Sequence, residues 1–476
     1  DKQTNYREMS YLELNQEADR YAHGLVKFGL LKGMKVLFLV RPGRDFLILT
    51  LALGKLGAVP VFIDPGMGKR ALLQCIEEVA PDAMITVPEV GILKRLRPAF
   101  FKSIRLRLIS VPTWWSAAPA LKDVKSDDPS PFEAYPAKEN DPFAIVFTTG
   151  STGIPKGVIY HFGTLNAQIE TIDRSLFVRS SDTILEGFAP FALRDIAMGT
   201  TCILPKMDTT RPALVDPKVI VEAVQRYEAT FSFGSPALWK RVIAWCHEHE
   251  VKLPQLQHVM MAGAPIPVEL IEGLQSILDE KAQVHTPYGA TEALPLTVIS
   301  GKEIIADTRV KTEAGHGICI GRVLHGVRVK VIAVRDEAIA QWSGVTELPA
   351  GEIGEIVAMG PVVTEAYYNQ PEQTANSKIR DGQAIWHRMG DVGYFDEKGR
   401  LWYCGRKSHR VVTSDQTLYT IPCETLFNSH PVVLRSALVG VGPKGHQQPV
   451  IVIEPEQGKF PSSKKERIQL AVEILH

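Results

Sequence analysis

Short apolar runs alternate with stretches of helical periodicity along the N-terminal third of the chain. Residues 10–30 are amphipathic, and Ser10 with Glu13 three positions later is typical of a helix N-terminus. Further helical stretches cover residues 45–55 and 70–79. Three apolar runs are short enough to be buried strands, namely Val36 to Val40, Val59 to Ile63 and Phe143 to Phe147. This alternation predicts a parallel α/β sheet with helices.

The alternation continues to about residue 300, and the chain then becomes rich in strand-like segments. Asp396 to Gly399 has the composition of a hairpin turn between two of them. We therefore expect a large α/β domain over residues 1–405, with two parallel-type sheets, helices and a β-barrel-like module. A small, mobile α+β domain over residues 406–476 is expected to follow, and to be incomplete.

Composition argues against several classes of protein. The 476 residues include 53 basic and 53 acidic ones, so no net charge attracts nucleic acid or an anionic membrane. The six cysteines form no Cys-x-x-Cys pair and no disulfide-like array, which favours a reducing, cytoplasmic compartment. Residues 46–63 are largely apolar, but Gly54, Gly57 and Pro60 interrupt them. A buried helix and strand explain this span better than a transmembrane helix.

The stretch richest in hydrogen-bond donors follows the apolar run at 143–147. It reads Thr148-Thr149-Gly150-Ser151-Thr152-Gly153-Ile154-Pro155-Lys156-Gly157. Glycines let a backbone approach a ligand closely, successive N–H groups bind anions, and lysine adds a positive charge that suits phosphate. A Walker A loop has glycine before the lysine and Ser or Thr after it, whereas Pro155 and Gly157 flank Lys156 here. The sequence therefore predicts a phosphate loop of another kind.

Four further motifs follow this loop in a consistent order. They are Ala262-Gly263-Ala264-Pro265, Tyr288-Gly289-Ala290-Thr291-Glu292, Trp386-His387-Arg388-Met389-Gly390-Asp391 and Tyr403-Cys404-Gly405-Arg406. With the loop, they resemble the motifs of the adenylate-forming superfamily, which comprises acyl-CoA synthetases, peptide-synthetase adenylation domains and luciferases. The resemblance implies an enzyme that activates a carboxylate with ATP and releases pyrophosphate.

The resemblance implies roles around the ATP phosphates for two of the motifs. The hydroxyls and backbone of the loop, together with Lys156, are expected to surround the phosphates. Glu292 is expected to bind Mg²⁺, because its carboxylate is a hard oxygen ligand. Thr291 is expected to place its hydroxyl against the α-phosphate.

The same resemblance implies where the nucleoside lies. Tyr288 is expected to stack on adenine with its ring face. Asp391 is expected to accept hydrogen bonds from the ribose hydroxyls, and Arg406 to reach the ribose or a phosphate. Gly263, Ala264 and Pro265 are expected beside the adenine, and Gly289 and Ala290 are expected among the residues that bind the nucleotide.

Late in the chain the sequence departs from the superfamily pattern. Met389 stands where threonine is common, which removes a hydroxyl without changing Asp391. His409 lies near the position of an acidic hinge residue, and we include it among the candidate catalytic residues. The lysine that the superfamily uses near the end of its small domain has no match before His476, and we expect it in a segment beyond that residue.

Three stretches are most similar to the β-lactone synthetases of long-chain olefin biosynthesis: Val61 to Gly68, Ala262 to Pro267 and Tyr288 to Pro295. In that group a 2-alkyl-3-hydroxy fatty acid is adenylated, and its own 3-hydroxyl then attacks the acyl carbon and expels AMP. Candidates for the acyl pocket are Phe188, Phe191, Phe233 and Gly234. The resemblance also implies pathway partners: a thiolase-like enzyme and a reductase before this step, and a decarboxylase after it.

Two alternatives stay open on the sequence. A long-chain acyl-CoA synthetase would use the same nucleotide residues, with coenzyme A as the acceptor of the acyl group. The altered hinge and the unmatched lysine also fit a nucleotide-binding homologue without turnover. ATP and Mg²⁺ are expected for either synthetase, and coenzyme A only for the first alternative.

Overall fold

Among the residues that the structure describes, six strands from the N-terminal part of the chain form the first sheet. The computed structural model describes residues 6–111, 118–149, 155–176 and 178–475. The strands are β1 (Lys35–Leu39), β2 (Val59–Phe62), β3 (Ala83–Thr86), β4 (Leu106–Ile109), β5 (Pro142–Thr149) and β6 (Pro155–His161). Their order is β4, β3, β1, β2, β5, β6, and only β5 with β6 is antiparallel. The parallel sheet predicted from the alternating pattern is confirmed.

The helices before β5 share cores with the first sheet, and the helix after β6 contributes its buried residues to another cluster. These helices are α1 (Tyr11–Lys27), α2 (Arg44–Leu56), α3 (Lys69–Val79), α4 (Glu89–Leu96), α5 (Leu121–Val124) and α6 (Phe162–Leu176). Helix α1 begins with the predicted capping box, in which Ser10 and Glu13 each accept a hydrogen bond from the other's backbone N–H. It ends earlier than the predicted residue 30, because Gly29 adopts a left-handed conformation with φ of 100°.

Twelve strands among the described residues form the second sheet. They are β7 (Thr183–Glu186), β8 (Thr201–Ile203), β9 (Phe231–Gly234), β10 (His258–Met261), β11 (Gln283–Ala290), β12 (Ala293–Ser300), β13 (Ile318–Val323), β14 (Arg328–Ile332), β15 (Gly354–Met359), β16 (Lys378–Asp381), β17 (Ala384–Phe395) and β18 (Leu401–Arg406). From β8 through β7, β9 and β10 to β11 the neighbours are parallel, and the other pairs are antiparallel. The antiparallel half contains the predicted β-rich module, with the predicted turn at Asp396 to Gly399 between β17 and β18.

Helices that follow the strands of the parallel half bury its main core. Between β7 and β18 the described α-helices are α7 (Ala192–Ala197), α8 (Pro217–Arg226), α9 (Pro236–Glu248), α10 (Val268–Ile277), α11 (Gly301–Glu303), α12 (Arg309–Glu313) and α13 (Pro371–Ser377). Val221 of α8, Trp239 of α9 and Leu274 of α10 are buried with Val259 of β10 in one cluster. This core supports the strand ends from which the motif residues project.

The residues after β18 form two small antiparallel sheets with two helices. Their elements are β19 (Val411–Val412), β20 (Thr417–Leu418), α14 (Thr420–Asn428), β21 (Val433–Val441), β22 (Gln448–Pro455) and α15 (Lys464–Leu475). This mixture agrees with the α+β part predicted for the end of the chain. The Asp336 carboxylate pairs with Arg410 Nη2 at 2.8 Å and also with Lys444, and so links this part to the preceding one. The boundary after residue 405 stays a prediction.

The apolar span at residues 46–63 lies within the first sheet and its helices. It folds as α2 followed by β2, with Pro60 opposite Val36 of β1, as the sequence analysis predicted. Within the part of the chain that the structure describes, no helix is both long and apolar enough to span a membrane.

Candidate active site

The β5–β6 hairpin brings together the two ends of the predicted phosphate loop. Thr148 lies opposite Lys156, and Thr149 lies opposite Pro155, in antiparallel register. Lys156 is therefore held on β6, directly after the loop. Four of the predicted loop ligands lie outside the described residues, namely Gly150, Ser151, Thr152 and Gly153.

The Lys156 side chain is half-buried and lies over an aromatic ring. Its Nζ is 5.1 Å from the centroid of the Tyr367 ring, which is within the range of a cation–π contact. Burial lowers the pKa of the Lys156 ammonium from its ordinary value, and the Glu292 carboxylate opposes this shift. A cation that is partly withdrawn from water interacts more strongly with a phosphate than an exposed one does.

Thr291 and Glu292 lie between β11 and β12, close to β6. The Thr291 carbonyl accepts a hydrogen bond of 2.6 Å from the Tyr160 hydroxyl, which ties this turn to β6. Glu292 Oε1 accepts a hydrogen bond of 2.6 Å from the Tyr367 hydroxyl. Two residues expected to act on the phosphates, Lys156 and Glu292, thus contact the same tyrosine, although they come from different sheets.

The Glu292 carboxylate has the chemistry of a Mg²⁺ ligand. Its Oε2 accepts no hydrogen bond from any residue that the structure describes, so one hard oxygen is left for a metal ion. No group of three or more His, Cys, Asp or Glu side chains among the described residues could hold a metal ion. Mg²⁺ commonly takes one or two carboxylates together with substrate phosphates, so Glu292 fits an ion that arrives with ATP. Such an ion would offset the phosphate charge during attack.

A cavity of about 630 Å³ connects the predicted nucleotide residues with the predicted acyl residues. The nucleotide motifs contribute Gly263, Ala264, Pro265, Tyr288, Gly289, Ala290, Thr291, Asp391 and Arg406 to its lining. One apolar group in the lining consists of Leu176, Phe188, Phe191, Phe233 and Met260. Five other candidates whose side chains the structure describes do not line this cavity, namely Thr148, Lys156, Gly234, Glu292 and His409.

Asp391 contacts two other predicted nucleotide residues at the cavity wall, Tyr288 and Arg406. The Tyr288 hydroxyl donates to Asp391 Oδ2 at 2.5 Å, and Arg406 Nη1 lies 2.9 Å from Oδ1. Asp391 and Arg406 also face each other in register on β17 and β18. Burial raises the pKa of the Asp391 carboxyl from its ordinary value, and the charge of Arg406 opposes the shift. The carboxylate is thus held in one orientation, in which it can accept hydrogen bonds from a ribose.

Three phenylalanines form an aromatic wall of the cavity. The Phe191 ring lies 5.1 Å from Phe188 and 4.7 Å from Phe233, measured between centroids, and both contacts are edge-to-face. Gly234 contacts the core instead, since a Cβ at this position would lie 2.7 Å from the indole nitrogen of Trp239. Trp239 itself is fully buried in the core of the parallel half.

A buried ion cluster that the sequence analysis did not single out supports Phe191. The Arg194 guanidinium lies 5.3 Å from the centroid of the Phe191 ring. Arg194 Nη2 pairs with Glu186 Oε1 at 2.6 Å and with Asp195 Oδ1 at 2.5 Å, and all three side chains are buried. Desolvation and the charge of Asp195 raise the pKa of the Glu186 carboxyl well above its ordinary value. This cluster fixes α7 against β7 and thereby one side of the aromatic wall.

His409 lies at the junction between the two parts of the chain. It ends a short 3₁₀ helix, Lys407–His409, directly after β18, and its side chain is exposed. The Nζ atom of the neighbouring Lys407 lies 2.9 Å from Glu355 Oε1. The Glu355 carboxylate is buried and also pairs with Arg388 at 2.7 Å. His409 is thus exposed and does not line the cavity, and its place at a hinge stays a prediction.

Two residues that contact Glu292 were missed by the sequence analysis. Thr364 donates to the Glu292 carbonyl from its backbone N–H at 2.9 Å and from Oγ1 at 3.0 Å. Tyr367 donates to the carboxylate, as described above. They follow Glu292 by 72 and 75 positions, and no signal in the sequence relates them to it before the chain is folded.

The sequence of the chain is similar to the sequences of known proteins from one enzyme family. The sequence model of the AMP-binding enzyme family matches residues 2–368. The olefin β-lactone synthetase of Xanthomonas campestris pv. campestris is 42% identical over 455 residues, which cover 94% of this chain and 81% of that protein. The protein of the same name from Stenotrophomonas maltophilia is 42% identical over 460 residues, covering 95% and 82%.

A solved structure shows the same fold at lower sequence identity. The amide bond synthetase of Marinactinospora thermotolerans matches with a TM-score of 0.79 and 22% identity, over 98% of this chain and 88% of that one. The resemblance inferred from the five motifs is thereby confirmed. The chain belongs to the AMP-binding enzyme family.

Proposed function

We propose that this chain activates the carboxylate of a long-chain 2-alkyl-3-hydroxy fatty acid with ATP and then closes the acid to a β-lactone. The observation that carries the proposal is the single cavity that joins the nucleotide motifs to an aromatic, apolar wall. An acid bound there would have its alkyl chains against the phenylalanines and its carboxylate towards the nucleotide. The names of the two 42% identical relatives support the choice of a β-lactone as product.

In the first half-reaction, a carboxylate oxygen forms a bond to the α-phosphorus of ATP. The bond between this phosphorus and the bridging oxygen of pyrophosphate breaks, and pyrophosphate leaves. Lys156 supplies positive charge to the phosphates, and the Thr291 hydroxyl contacts the α-phosphate as charge builds up there. Glu292 would hold Mg²⁺, which would supply positive charge beside the phosphates. Tyr288, Asp391 and Arg406 keep the nucleoside in place.

In the second half-reaction, the 3-hydroxyl oxygen forms a bond to the acyl carbon. The bond between this carbon and the phosphate oxygen breaks, AMP leaves, and the hydroxyl proton is released. Since nucleophile and electrophile belong to one molecule, binding in the right conformation gives a high effective molarity, which offsets part of the ring strain. The apolar wall formed by Phe188, Phe191 and Phe233 keeps water from the acyl adenylate.

The product and the substrate suggest the enzymes that act before and after this step. A 2-alkyl-3-hydroxy acid is the product expected when a thiolase-like enzyme condenses two acyl chains and a reductase acts on the resulting ketone. A β-lactone can lose carbon dioxide to give an alkene, which requires a decarboxylase. These three enzymes are proposed pathway partners of the chain.

Incubation with ATP, Mg²⁺ and a 2-alkyl-3-hydroxy acid, with and without coenzyme A, tests the proposal. We expect β-lactone, AMP and pyrophosphate without coenzyme A, identified by mass spectrometry. A thioester formed only when coenzyme A is present would instead indicate an acyl-CoA synthetase. Absence of pyrophosphate under all conditions would indicate a nucleotide-binding homologue without turnover.

A further inference from the structure

Residues 363–368, which we call the bridging segment, connect the two sheets beside the candidate site. Val363 pairs with Ala293 at the start of β12, and Tyr367 pairs with Val158 of β6. The backbone N–H of Tyr368 also donates to the Gly157 carbonyl at 2.7 Å. One end of the segment therefore lies next to Glu292 and the other lies next to Lys156.

The Tyr367 side chain contacts both of these charged residues. Its hydroxyl donates to Glu292 Oε1 at 2.6 Å, and its ring lies 5.1 Å from Lys156 Nζ. Tyr367 is buried, with 6% of its surface exposed. Its hydroxyl therefore donates from a fixed position and orients the Glu292 carboxylate.

Further contacts fix the backbone on which the Glu292 side chain is carried. Thr364 donates twice to the Glu292 carbonyl, and the carbonyl of Thr364 itself accepts a hydrogen bond from Lys378 Nζ. Lys378 is buried on β16. With the backbone and Oε1 both engaged, Glu292 Oε2 keeps a defined position.

We propose that Tyr367 is a positioning residue that aligns the Glu292 carboxylate and the Lys156 ammonium for adenylation. The inference rests on the proposed adenylation of an acid, and it assigns a role to a residue outside the five motifs. Carboxylates that bind metal ions are generally oriented by an outer hydrogen bond, and loss of such a bond costs about 10- to 100-fold in metal affinity or activity. Tyr367 supplies this bond and also contacts the lysine that faces the same phosphates.

The substitution Tyr367→Phe removes the hydroxyl and keeps the ring under Lys156. Tyr368→Phe is a matched control one position later, because the Tyr368 hydroxyl accepts from Lys35 Nζ at 2.9 Å and its ring lies 5.3 Å from that nitrogen. Binding of Mn²⁺ in the presence of ATP, measured by electron paramagnetic resonance without acid, avoids any dependence on turnover. We expect the Mn²⁺ dissociation constant to rise about 10- to 100-fold in Tyr367→Phe and to stay unchanged in Tyr368→Phe.

Glu292→Gln shows whether the effect passes through the carboxylate. Adding Tyr367→Phe to Glu292→Gln should weaken Mn²⁺ binding much less than it does in the unsubstituted protein. Thr364→Val, which removes the Oγ1 donor to Glu292, serves as the second variant if Tyr367→Phe does not fold.

Three results would overturn the positioning role. The first is unchanged Mn²⁺ binding in a folded Tyr367→Phe protein, or in Thr364→Val where that variant replaces it. The second is a loss of Mn²⁺ affinity in Tyr368→Phe equal to the loss in Tyr367→Phe. The third is full additivity of the effects of Tyr367→Phe and Glu292→Gln on Mn²⁺ binding. If the unsubstituted protein bound no Mn²⁺ with ATP, the adenylation itself would be contradicted, which distinguishes the two failures.

Discussion

The Tyr288 hydroxyl and the Asp391 carboxylate form a hydrogen bond of 2.5 Å between motifs that are 103 positions apart. Tyr288 lies on β11, where the sheet changes from parallel to antiparallel, and Asp391 lies on β17 of the antiparallel half. Arg406 reaches the same carboxylate from β18. Three motifs therefore meet at one wall of the cavity because the second sheet carries them on strands that converge there.

Replacement of the Asp391 carboxylate tests the nucleoside side of the cavity. Asp391→Asn keeps the shape of the side chain but loses a charged acceptor, and hydrogen bonds to charged groups contribute about 1.5–3 kcal/mol. We expect the dissociation constant of AMP to rise at least about tenfold, since 1.4 kcal/mol corresponds to a factor of ten. Isothermal titration calorimetry with AMP measures it. Unchanged AMP binding would exclude contact between Asp391 and the nucleotide.

The aromatic wall is tested separately by Phe191→Ala. This change removes the ring that contacts both Phe188 and Phe233, and the apolar area lost to a bound alkyl chain corresponds to about 1.5–3 kcal/mol. We expect KM for the hydroxy acid to rise about 10-fold or more, while KM for ATP stays the same. Steady-state pyrophosphate release gives both constants. A change in KM for ATP alone would show that Phe191 does not contact the acyl chain.

The ion cluster beneath Phe191 is expected to matter for stability. Arg194→Met leaves Glu186 and Asp195 buried without their counter-charge, and breaking a buried pair in this way costs about 3–5 kcal/mol. The free energy of unfolding from denaturant titration should fall by that amount. As a control, Arg174→Met removes an exposed partner of Glu170 and should change it by less than about 1 kcal/mol. Equal effects of the two substitutions would contradict the assigned importance of burial.

The buried ammonium of Lys378 should make the free energy of unfolding depend on pH. Burial lowers the pKa of its ammonium to about 7 from an ordinary value of 10.5. Between these two values the unfolded chain binds a proton that the folded chain does not, so the free energy of unfolding rises with pH, by up to about 1.4 kcal/mol per unit. Lys378→Met should lack this increment. The same pH dependence in both proteins would show that the folded chain keeps the Lys378 ammonium protonated.

Local patterns were sufficient to predict many of the strands and helices but not all of them. Helix α1 has a capping box and a clear period, and β5 is a continuous apolar run, so both were predictable. Strands β3 and β4 were missed, because each has only four residues and β4 carries the exposed Arg107. Strand β12 contains Pro295, a residue that normally argues against a central strand.

The candidate site was predictable only where a motif marks it. The resemblance of the motifs led to Tyr288, Asp391 and Arg406, which the fold brings together. Tyr367 carries no such mark, and its contact with Glu292 depends on the pairing of the bridging segment with two different sheets. A contact between distant parts of the chain follows from packing of the whole molecule, which local spacing does not encode.

In the proposed reaction the acid is activated at its carboxylate, and its own 3-hydroxyl then expels AMP. The most direct test places a heavy-oxygen label on the 3-hydroxyl and follows it by mass spectrometry of both products. Activation at the carboxylate predicts that the label stays in the ring of the β-lactone and that AMP carries none. Label found in AMP would mean that the hydroxyl is activated, and would contradict activation of the carboxylate.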